Sequence, residues 1–291
     1  MIYDVSHITV YSYEATVAST RCALRLIPRE SSGQKLLRGA INILPEPDIV
    51  SERTDFFGNQ ITDILVRKPH SKLCIELTAL VEVARLEPPH LSQTLPWESA
   101  ARSALAMSSL SNTAPVHWLY PSRYVRLHQE ITDYARVSFS PGRPILEAAD
   151  EFMCRIQKDF VYDPKSTDIA TPLLQSFQSR RGVCQDFAHI MLAGLRGLGL
   201  PAAYVSGYIR TIPAPGQAYL EGADASHAWI SIWCGDANGW VQLDPTNGLI
   251  VRDDHIVVAT GRDYADVSPI DGIIVSAGKQ ELDVSVTIKA V

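Results

Sequence analysis

Apolar and polar positions alternate in short runs through the first 85 residues, as they do in strands that bury one face. The runs cover residues 5–13, 21–27, 41–44, 61–66 and 73–83. Turn residues such as Phe57-Gly58-Asn59 lie between the runs, and no segment has the spacing of an amphipathic helix. The pattern therefore predicts a β-sandwich domain over residues 1–85.

The composition changes over residues 86–122, which are rich in Pro, Ser, Ala and His and include Pro88-Pro89 and Ser108-Ser109. Such a segment is typical of a connector, here with one short helix near residues 97–107. Residues 123–291 then begin with helical spacing behind Pro144, a residue suited to a first helical turn. Residues 283–289 alternate and predict a final strand, but the pattern does not identify its sheet.

The strongest helical pattern follows Gly182-Val183-Cys184, with apolar residues every three or four positions until Gly199 and Pro201 end the helix. Cys184 therefore stands in the first turn, beside unpaired backbone N–H groups and the positive end of the helix dipole. Both favour the thiolate, which is the nucleophilic form of cysteine. A buried, unreactive cysteine is the alternative, and Cys184 alone does not decide between the two.

Two strands are predicted downstream, over residues 226–233 and 240–245, with turn residues at 235–239 between them. If His227 lies opposite Asp244 in this hairpin, a four-residue loop from Cys234 to Ala237 joins the strands. The imidazole and the carboxylate then share one face of the sheet. In the order Cys184, His227, Asp244 the chain offers a nucleophile, a base and a carboxylate that orients the base.

Three segments resemble the signature blocks of the bacterial transglutaminase-like superfamily: residues 181–188 (RGVCQDFA), 225–229 (ASHAW) and 239–247 (GWVQLDPTN). The resemblance extends to residues 198–208 and 257–267, and to residues 7–11 and 55–59 of its β-rich N-terminal domain. It implies an α+β fold, with a papain-like catalytic domain over residues 123–291 that follows the N-terminal β-sandwich and the connector. It also implies a Cys-His-Asp triad, used by many bacterial members in the manner of cysteine proteases.

One departure separates this chain from the animal transglutaminases, which have a tryptophan after the nucleophile and calcium-binding loops. Here Gln185 follows Cys184, and the sequence has no calcium-loop pattern. We therefore expect neither calcium dependence nor protein cross-linking, and no cofactor. Zinc is the rival use of Cys, His and Asp, but no Cys-x-x-Cys or His-Glu-x-x-His spacing supports a metal site.

An oxyanion hole requires two donors, and the backbone N–H of Cys184 is the natural first one. The Tyr162 hydroxyl is a candidate for the second, although a half-buried aromatic residue explains Tyr162 as well. His189 lies five residues after Cys184 and points elsewhere on a helix, so we expect a packing role. Asp186 is a candidate for the cleft lining, but a role in stabilising the first helical turn is favoured. Trp229, Trp233 and Trp240 are candidates for a cleft wall or for core packing.

The composition of the 291 residues limits which classes of partner and which cellular compartment are expected. The net charge of −6, without a clustered basic tract, argues against nucleic acid or an anionic membrane as a partner. Five scattered cysteines indicate reduced thiols rather than a disulfide framework. No apolar run has the length of a membrane span, and no leader pattern precedes the first strand, so a cytoplasmic location is expected.

These observations predict a thiol hydrolase that cleaves an amide or peptide bond through a thioester acyl-enzyme. Acyl transfer from a glutamine amide to an amine is the second candidate. The third is an inactive binding or scaffolding module, which ranks last because all three triad positions are occupied. The expected partner is a peptide or amide substrate, and the oligomeric state is left open.

Overall fold

The computed structural model of the chain describes residues 1–211, 225–275 and 278–291. The strands are β1 (Ile2–Val17), β2 (Ser19–Leu24), β3 (Gln34–Leu44), β4 (Ile49–Thr54), β5 (Gln60–Val66), β6 (His70–Val83), β7 (Val161–Tyr162), β8 (Arg181–Gly182), β9 (Ala202–Ile209), β10 (Ala225–Trp233), β11 (Trp240–Asp244), β12 (Leu249–Ile250), β13 (His255–Gly261), β14 (Ile270–Val275) and β15 (Gln280–Ala290). The α-helices are α1 (Trp97–Ala106), α2 (Gln129–Arg136), α3 (Ile145–Asp159), α4 (Leu173–Ser179), α5 (Cys184–Gly197) and α6 (Tyr264–Val267).

Within the described ranges, no helix combines the length and the apolar composition that crossing a membrane requires.

Two four-stranded sheets form an N-terminal sandwich, with the strand orders β15-β1-β6-β3 and β14-β2-β5-β4. The alternation predicted from the sequence is visible along β1, where Tyr3 and Val5 are buried and Asp4 between them is exposed. Buried side chains of both sheets belong to one hydrophobic cluster, because the two apolar faces pack against each other. The predicted β-sandwich is confirmed.

Two strands of the sandwich differ from the sequence-based prediction. β3 covers Gln34–Leu44, whereas the alternation predicted residues 41–44 alone. β4, which covers Ile49–Thr54 at the edge of its sheet, was not predicted. Every side chain of β4 is exposed. A strand with no buried face has no alternation between apolar and polar positions, and this removes the signal used for the other strands.

The last two strands of the chain complete the sandwich. β14 pairs with β2 from Ile270↔Leu24 onward, and β15 pairs with β1 along its whole length. The predicted boundaries gave residues 123–291 to the catalytic domain, and the sheet pairing corrects them, because β14 and β15 belong to the N-terminal sandwich. Both strands cover edges of β1 and β2 that would otherwise expose unpaired backbone groups. A local pattern cannot say which distant edge a strand covers.

The connector, residues 86–122, contains α1 close to the predicted position and two short 3-10 turns, Leu91–Gln93 and Pro115–Trp118. Trp118 is buried and bridges the two parts of the molecule. Its ring lies 5.0 Å from the ring of Phe57 in the sandwich and 5.9 Å from that of Trp240 in the C-terminal core. The connector is therefore packed between both parts rather than extended as a free linker.

The C-terminal core consists of a five-stranded sheet, ordered β12-β11-β10-β9-β13, and the helices packed on it. The central helix, α5, contacts β9 and β10 on one side and α2, α3 and α4 on the others. Every residue of α5 from Asp186 to Arg196 is buried, whereas the sequence pattern predicted one apolar face. Arg196 is tolerated there because its guanidinium donates to backbone carbonyls, including that of Ala202 at 2.8 Å. The α+β, papain-like class is confirmed.

Candidate active site

Cys184 is the first residue of α5 and is partly exposed. Val183 before it is extended, with φ −111° and ψ −178°, and is the N-cap of the helix. The first N–H groups of a helix have no partner within it, and they lie at the positive end of the helix dipole. The predicted nucleophile therefore lies where a negative charge is stabilised.

The Asp186 carboxylate fixes the backbone that leads into this helix. Its Oδ2 accepts hydrogen bonds from the Val183 N–H at 2.9 Å and the Thr167 hydroxyl at 2.7 Å. Its Oδ1 accepts from the Ser176 hydroxyl at 2.9 Å. A side chain at Gly182 would place its Cβ only 2.6 Å from the Asp186 Cβ, so this close approach requires glycine. The contacts give Asp186 the structural role expected of it.

His227 and Asp244 lie on β10 and β11, two neighbouring strands of the core sheet. The Nε2 of His227 lies 2.8 Å from Oδ2 of Asp244, and both residues are buried. The structure thus brings together the imidazole and the carboxylate that the sequence predicted as a pair.

The register of this hairpin corrects the predicted one by two residues. Trp233 pairs with Trp240 and Ser231 with Gln242, so residues 234–239 form a six-residue loop rather than a four-residue one. Continuing this register places Trp229 opposite Asp244, and His227 reaches the carboxylate diagonally. Side chains on a strand alternate with a period of two, so a shift of two residues leaves every side chain on its predicted face. The predicted face was correct although the predicted register was wrong.

The Asp244 carboxylate is surrounded by hydrogen-bond donors. Oδ1 accepts from the backbone N–H groups of Thr246 at 2.9 Å and Asn247 at 3.2 Å. Oδ2 accepts from the Asn247 side-chain amide at 2.7 Å, from His227 at 2.8 Å and from Nε2 of His255 at 3.0 Å. Burying a carboxylate is costly unless such partners compensate its lost hydration. Asp244 is held in one orientation by these contacts.

The charges of the pair follow from these contacts. Burial alone would raise the pKa of Asp244, but hydrogen bonds from His227, His255 and Asn247 and the nearby His227 charge hold that pKa well below its usual range. Burial alone would lower the pKa of His227. Its hydrogen bonds with Asp244 and Cys184 and the negative charge of both outweigh burial and raise the pKa of His227 to about 10. Near neutral pH His227 is therefore an imidazolium beside an ionised Asp244.

The Cys184 thiol completes the arrangement on the other side of the His227 ring. Cys184 is near enough to His227 for its side chain to raise the pKa of that ring, and because Nε2 is engaged by Asp244, Nδ1 is the nitrogen left to face the sulfur. A sulfur nucleophile, an imidazole and an orienting carboxylate in this sequence can attack a carbonyl carbon and transfer a proton to the leaving group. The chemistry available to the site is that of acyl transfer through sulfur.

Tyr162 lies next to the nucleophile loop, because β7 pairs with β8 in parallel and sets Tyr162 beside Gly182. Its side chain is 53% exposed, and the ring lies edge-on to Phe187 at 6.4 Å. Burial of its other part, followed by the charge of Cys184, raises the pKa of Tyr162. The hydroxyl is therefore protonated near neutral pH and able to donate. Its part in an oxyanion hole with the Cys184 N–H stays a prediction.

His189 lies in the helix interior, away from the base position. Its ring stacks on Tyr124 at 6.1 Å, and Nε2 accepts the backbone N–H of Tyr264 at 3.2 Å. Burial, only partly opposed by the charge of Asp263, lowers the pKa of His189 to about 4, so the ring is neutral. These contacts agree with the packing role expected from the sequence.

Trp229 forms a wall behind the predicted triad, whereas the other two tryptophans lie further along the hairpin. The Trp229 ring is fully buried and lies 6.0 Å from the ring of His227 and 5.1 Å from that of His255. Its indole N–H donates to Oε1 of Gln242 at 2.9 Å. Trp233 is buried in the core. Trp229 therefore restricts the orientation of both histidines.

His255, the second histidine on Asp244, was missed by the sequence-based reasoning. The sequence carried one signal for it, an ionisable residue at the start of an apolar strand. That strand is β13, and its remaining residues are almost all buried. The donor atoms of His227, Asp244 and His255 lie within 4.8 Å of one another, so among the described residues they form a group that could hold a metal ion. The nitrogen-to-oxygen distances of 2.8 and 3.0 Å are those of hydrogen bonds from the two histidines to the carboxylate.

A cavity of about 400 Å³ opens on the same face of the core sheet as His227 and Asp244. It is lined by the sandwich through Arg29 and Phe57, by the connector through Trp118, and by the sheet through Ser231 and Gln242. Gln242 is two residues from Asp244 on the same strand, and the cavity therefore adjoins the wall formed by Trp229. All three parts of the chain contribute to this cavity.

Comparison with protein families gives two matches that agree with the two parts of the fold. Residues 3–82 match the bacterial transglutaminase-like N-terminal region, and residues 132–245 match the transglutaminase-like superfamily. The second match includes the nucleophile helix and the hairpin with its histidine and carboxylate.

Individual proteins extend this comparison to almost the full chain. Uncharacterized protein Rv2569c of Mycobacterium tuberculosis is 39% identical over 294 aligned residues, which cover 98% of this chain and 92% of that protein. A crystal structure of a "putative cysteine protease" from Cytophaga hutchinsonii superimposes with a TM-score of 0.77 at 20% identity, covering 99% of this chain and 90% of the other. A protein-glutamine gamma-glutamyltransferase of Pseudomonas aeruginosa is 38% identical over 72 residues, which cover 24% of this chain and 10% of that protein.

Proposed function

The chain belongs to the transglutaminase-like superfamily, and from this membership and the site geometry we propose that it is a thiol hydrolase cleaving an amide or peptide bond. In this proposal Cys184 is the nucleophile, His227 the acid and base, and Asp244 the carboxylate that orients the imidazole. The observation that carries the proposal is the buried 2.8 Å hydrogen bond between His227 and Asp244, on a ring whose pKa the nearby Cys184 side chain also raises.

Acylation begins with attack of the Cys184 sulfur on the substrate carbonyl carbon, which forms a C–S bond and moves the π electrons to oxygen. The backbone N–H of Cys184 and the Tyr162 hydroxyl are the proposed donors to that oxyanion. The imidazolium of His227 then gives its proton to the amide nitrogen, the C–N bond breaks, and the amine leaves. The products of this step are a thioester and a neutral imidazole.

Deacylation uses the neutral imidazole as a base. His227 removes a proton from water while the water oxygen attacks the thioester carbonyl, and collapse of the intermediate breaks the C–S bond. The acid is released, and the thiolate and the imidazolium are restored. Asp244 keeps the Nδ1 edge of the ring toward the sulfur in both steps and stabilises the imidazolium when it forms.

Acyl transfer to an amine is the second candidate, and the short match to a Pseudomonas glutamyltransferase supports considering it. The two reactions share acylation and differ in whether water or an amine attacks the thioester. An amine competes with water only when it is bound in an oriented site from which water is excluded. We favour hydrolysis because none of the contacts described above forms such a site. An inactive binding module ranks third, since the nucleophile, base and carboxylate are all present.

Intact-mass detection of the acyl-enzyme tests this proposal directly. The protein is incubated with a library of peptides and simple amides, and its mass is compared before and after mixing. We expect an adduct that maps to Cys184, releases an acid, and does not form in a Cys184→Ala variant. Cys154→Ala is the matched control, because it removes an exposed cysteine outside the proposed site. Adducts that persist in Cys184→Ala would contradict the assignment of the nucleophile.

A further inference from the structure

Two histidines contact the same oxygen of Asp244, and the proposed reaction uses only one of them. His255 is the first residue of β13, is 2% exposed, and directs Nε2 at Oδ2 of Asp244 from 3.0 Å. The His227 ring lies 5.9 Å from the His255 ring. The carboxylate is therefore held between an imidazole that faces the sulfur and an imidazole that does not.

We propose that His255 is a positioning residue: its neutral ring donates a hydrogen bond that keeps Asp244 ionised and oriented after His227 has given up a proton. The inference deepens the proposed function and rests on it, because it assigns His255 a part in the proton cycle of His227. His255 acts through Asp244, and no contact of His255 with the Cys184 sulfur is involved.

The surroundings of His255 favour a ring with one proton. Its Nδ1 is buried and has no hydrogen-bond partner among the described residues, so a second proton there would create a buried, unsatisfied N–H. The charged groups that face the ring are Asp244 on β11, His227 on β10 and Arg85 after β6. Burial, with the positive charges of His227 and Arg85, lowers the pKa of His255 despite the opposing effect of Asp244. The single proton then lies on Nε2, where Asp244 accepts it.

The proton cycle explains why Asp244 needs this donor. The His227 imidazolium compensates the carboxylate only until it protonates the leaving amine, and Asp244 has no exposed surface to recruit water in its place. Donors that do not titrate during the cycle are the backbone N–H groups of Thr246 and Asn247, the Asn247 amide and the His255 ring. These donors stabilise the ionised carboxylate of Asp244 when His227 is neutral.

The sign of the effect on His227 follows from the same contact. The hydrogen bond that His255 donates reduces the negative charge that the Asp244 carboxylate presents to His227. Asp244 then stabilises the His227 imidazolium less. Removal of the His255 donor should therefore raise the pKa of His227. The neutral imidazole that deacylation requires would then become scarcer near neutral pH.

Phenylalanine and glutamine at position 255 separate the donor from the shape of the ring. His255→Phe retains an aromatic ring for the edge contact with Trp229 but has no N–H. His255→Gln places its amide N–H about where the histidine Nε2 lies, and it does not titrate. His255→Leu replaces the phenylalanine variant if that variant does not fold. His7→Phe is the matched control, since His7 is another buried histidine, bonded to Tyr208 and Thr9.

The test that needs no substrate is an NMR titration of the His227 ring in the Cys184→Ala background. We expect His255→Phe to raise the His227 midpoint by about one pH unit, the size of one hydrogen bond to a charged group. His255→Gln should return the midpoint toward that of the parent, and His7→Phe should not move it. An unchanged midpoint in His255→Phe, or an equal shift in His255→Gln, would overturn the proposal.

A kinetic measurement with p-nitrophenyl acetate examines the same inference in the protein with its cysteine. The burst of p-nitrophenol reports acylation and the steady state reports deacylation. We expect His255→Phe to slow the steady state at pH 7 about tenfold more than the burst, with recovery at higher pH. Equal losses in both phases without a change in the pH profile would mean a purely structural residue and would overturn the proposal. A parent protein that releases p-nitrophenol no faster than its Cys184→Ala variant would count against the proposed function, and the NMR titration would still decide the role of His255.

Discussion

His227 Nε2 lies 2.8 Å from Asp244 Oδ2 although the two residues are not opposite each other in the hairpin. Because this contact engages Nε2, Nδ1 is the nitrogen available to the Cys184 sulfur at the start of α5. The pair lies on the sheet and Cys184 lies on the central helix, so the proposed chemistry depends on how these two elements are packed.

Selective alkylation of Cys184 is the first expectation. Iodoacetamide at about pH 6.5 should label Cys184 well ahead of the other four cysteines, because its sulfur lies at a helix N-terminus and near His227. Cys154 is the informative internal control, since it is more exposed, yet burial and the charges of Asp150 and Glu151 raise its pKa. Burial also raises the pKa of Cys22 to about 11 and of Cys234 to about 12. Labelling by peptide mass spectrometry at equal rates for Cys184 and Cys154 would remove the basis for the nucleophile.

Replacement of Asp244 should change the pH dependence of the reaction. The His227 pKa of about 10 predicts that acylation persists up to alkaline pH and falls as the imidazolium loses its proton. Asp244→Ala removes the charge and the acceptor, so the pKa of His227 falls and the alkaline limb moves to lower pH. Asp244→Asn keeps a carbonyl acceptor for the ring N–H and should retain more activity than Asp244→Ala. An unaltered pH–rate profile in Asp244→Ala would show that the observed pairing has no catalytic role.

Removal of Asp186 should destabilise the protein and misplace the nucleophile. Asp186→Ala leaves the Val183 N–H and the hydroxyls of Thr167 and Ser176 without their acceptor. We expect a loss of about 2 to 3 kcal/mol in the free energy of unfolding, measured in urea, because a buried charged acceptor is removed from several donors. Asp186→Asn keeps one acceptor oxygen and should lose less. If Asp186→Ala unfolds at the same urea concentration as the parent, the carboxylate does not anchor this loop.

The fate of the thioester decides between hydrolysis and acyl transfer. With millimolar primary amine present, we expect released acid to remain the main product, because no feature of the sequence marks an amine site. Added EDTA should leave the rate unchanged, since the proposed steps use only side chains and water. A labelled amine incorporated in proportion to product would assign the protein as a transferase, and activity restored only by calcium would do the same.

Local patterns in the sequence determined the parts of the site that lie within single elements. The first-turn position of Cys184 follows from helical spacing and from the residues that end α5. The shared face of His227 and Asp244 follows from the period of a strand, and it survived an error of two residues in the register. Family resemblance tied these elements to a papain-like core, which no local pattern contains.

Tertiary structure alone decided the features that depend on contacts between distant segments. β14 and β15 cover the edges of β2 and β1. β13 lies at the edge of the core sheet, with β9 and β10 between it and β11, and the fold still brings His255 within 3.0 Å of Asp244. An amphipathic pattern records that a strand has a buried face, but not which of several open edges it will pair with. That choice is made by the packing of the whole chain, and in this protein it added a second histidine to the predicted triad.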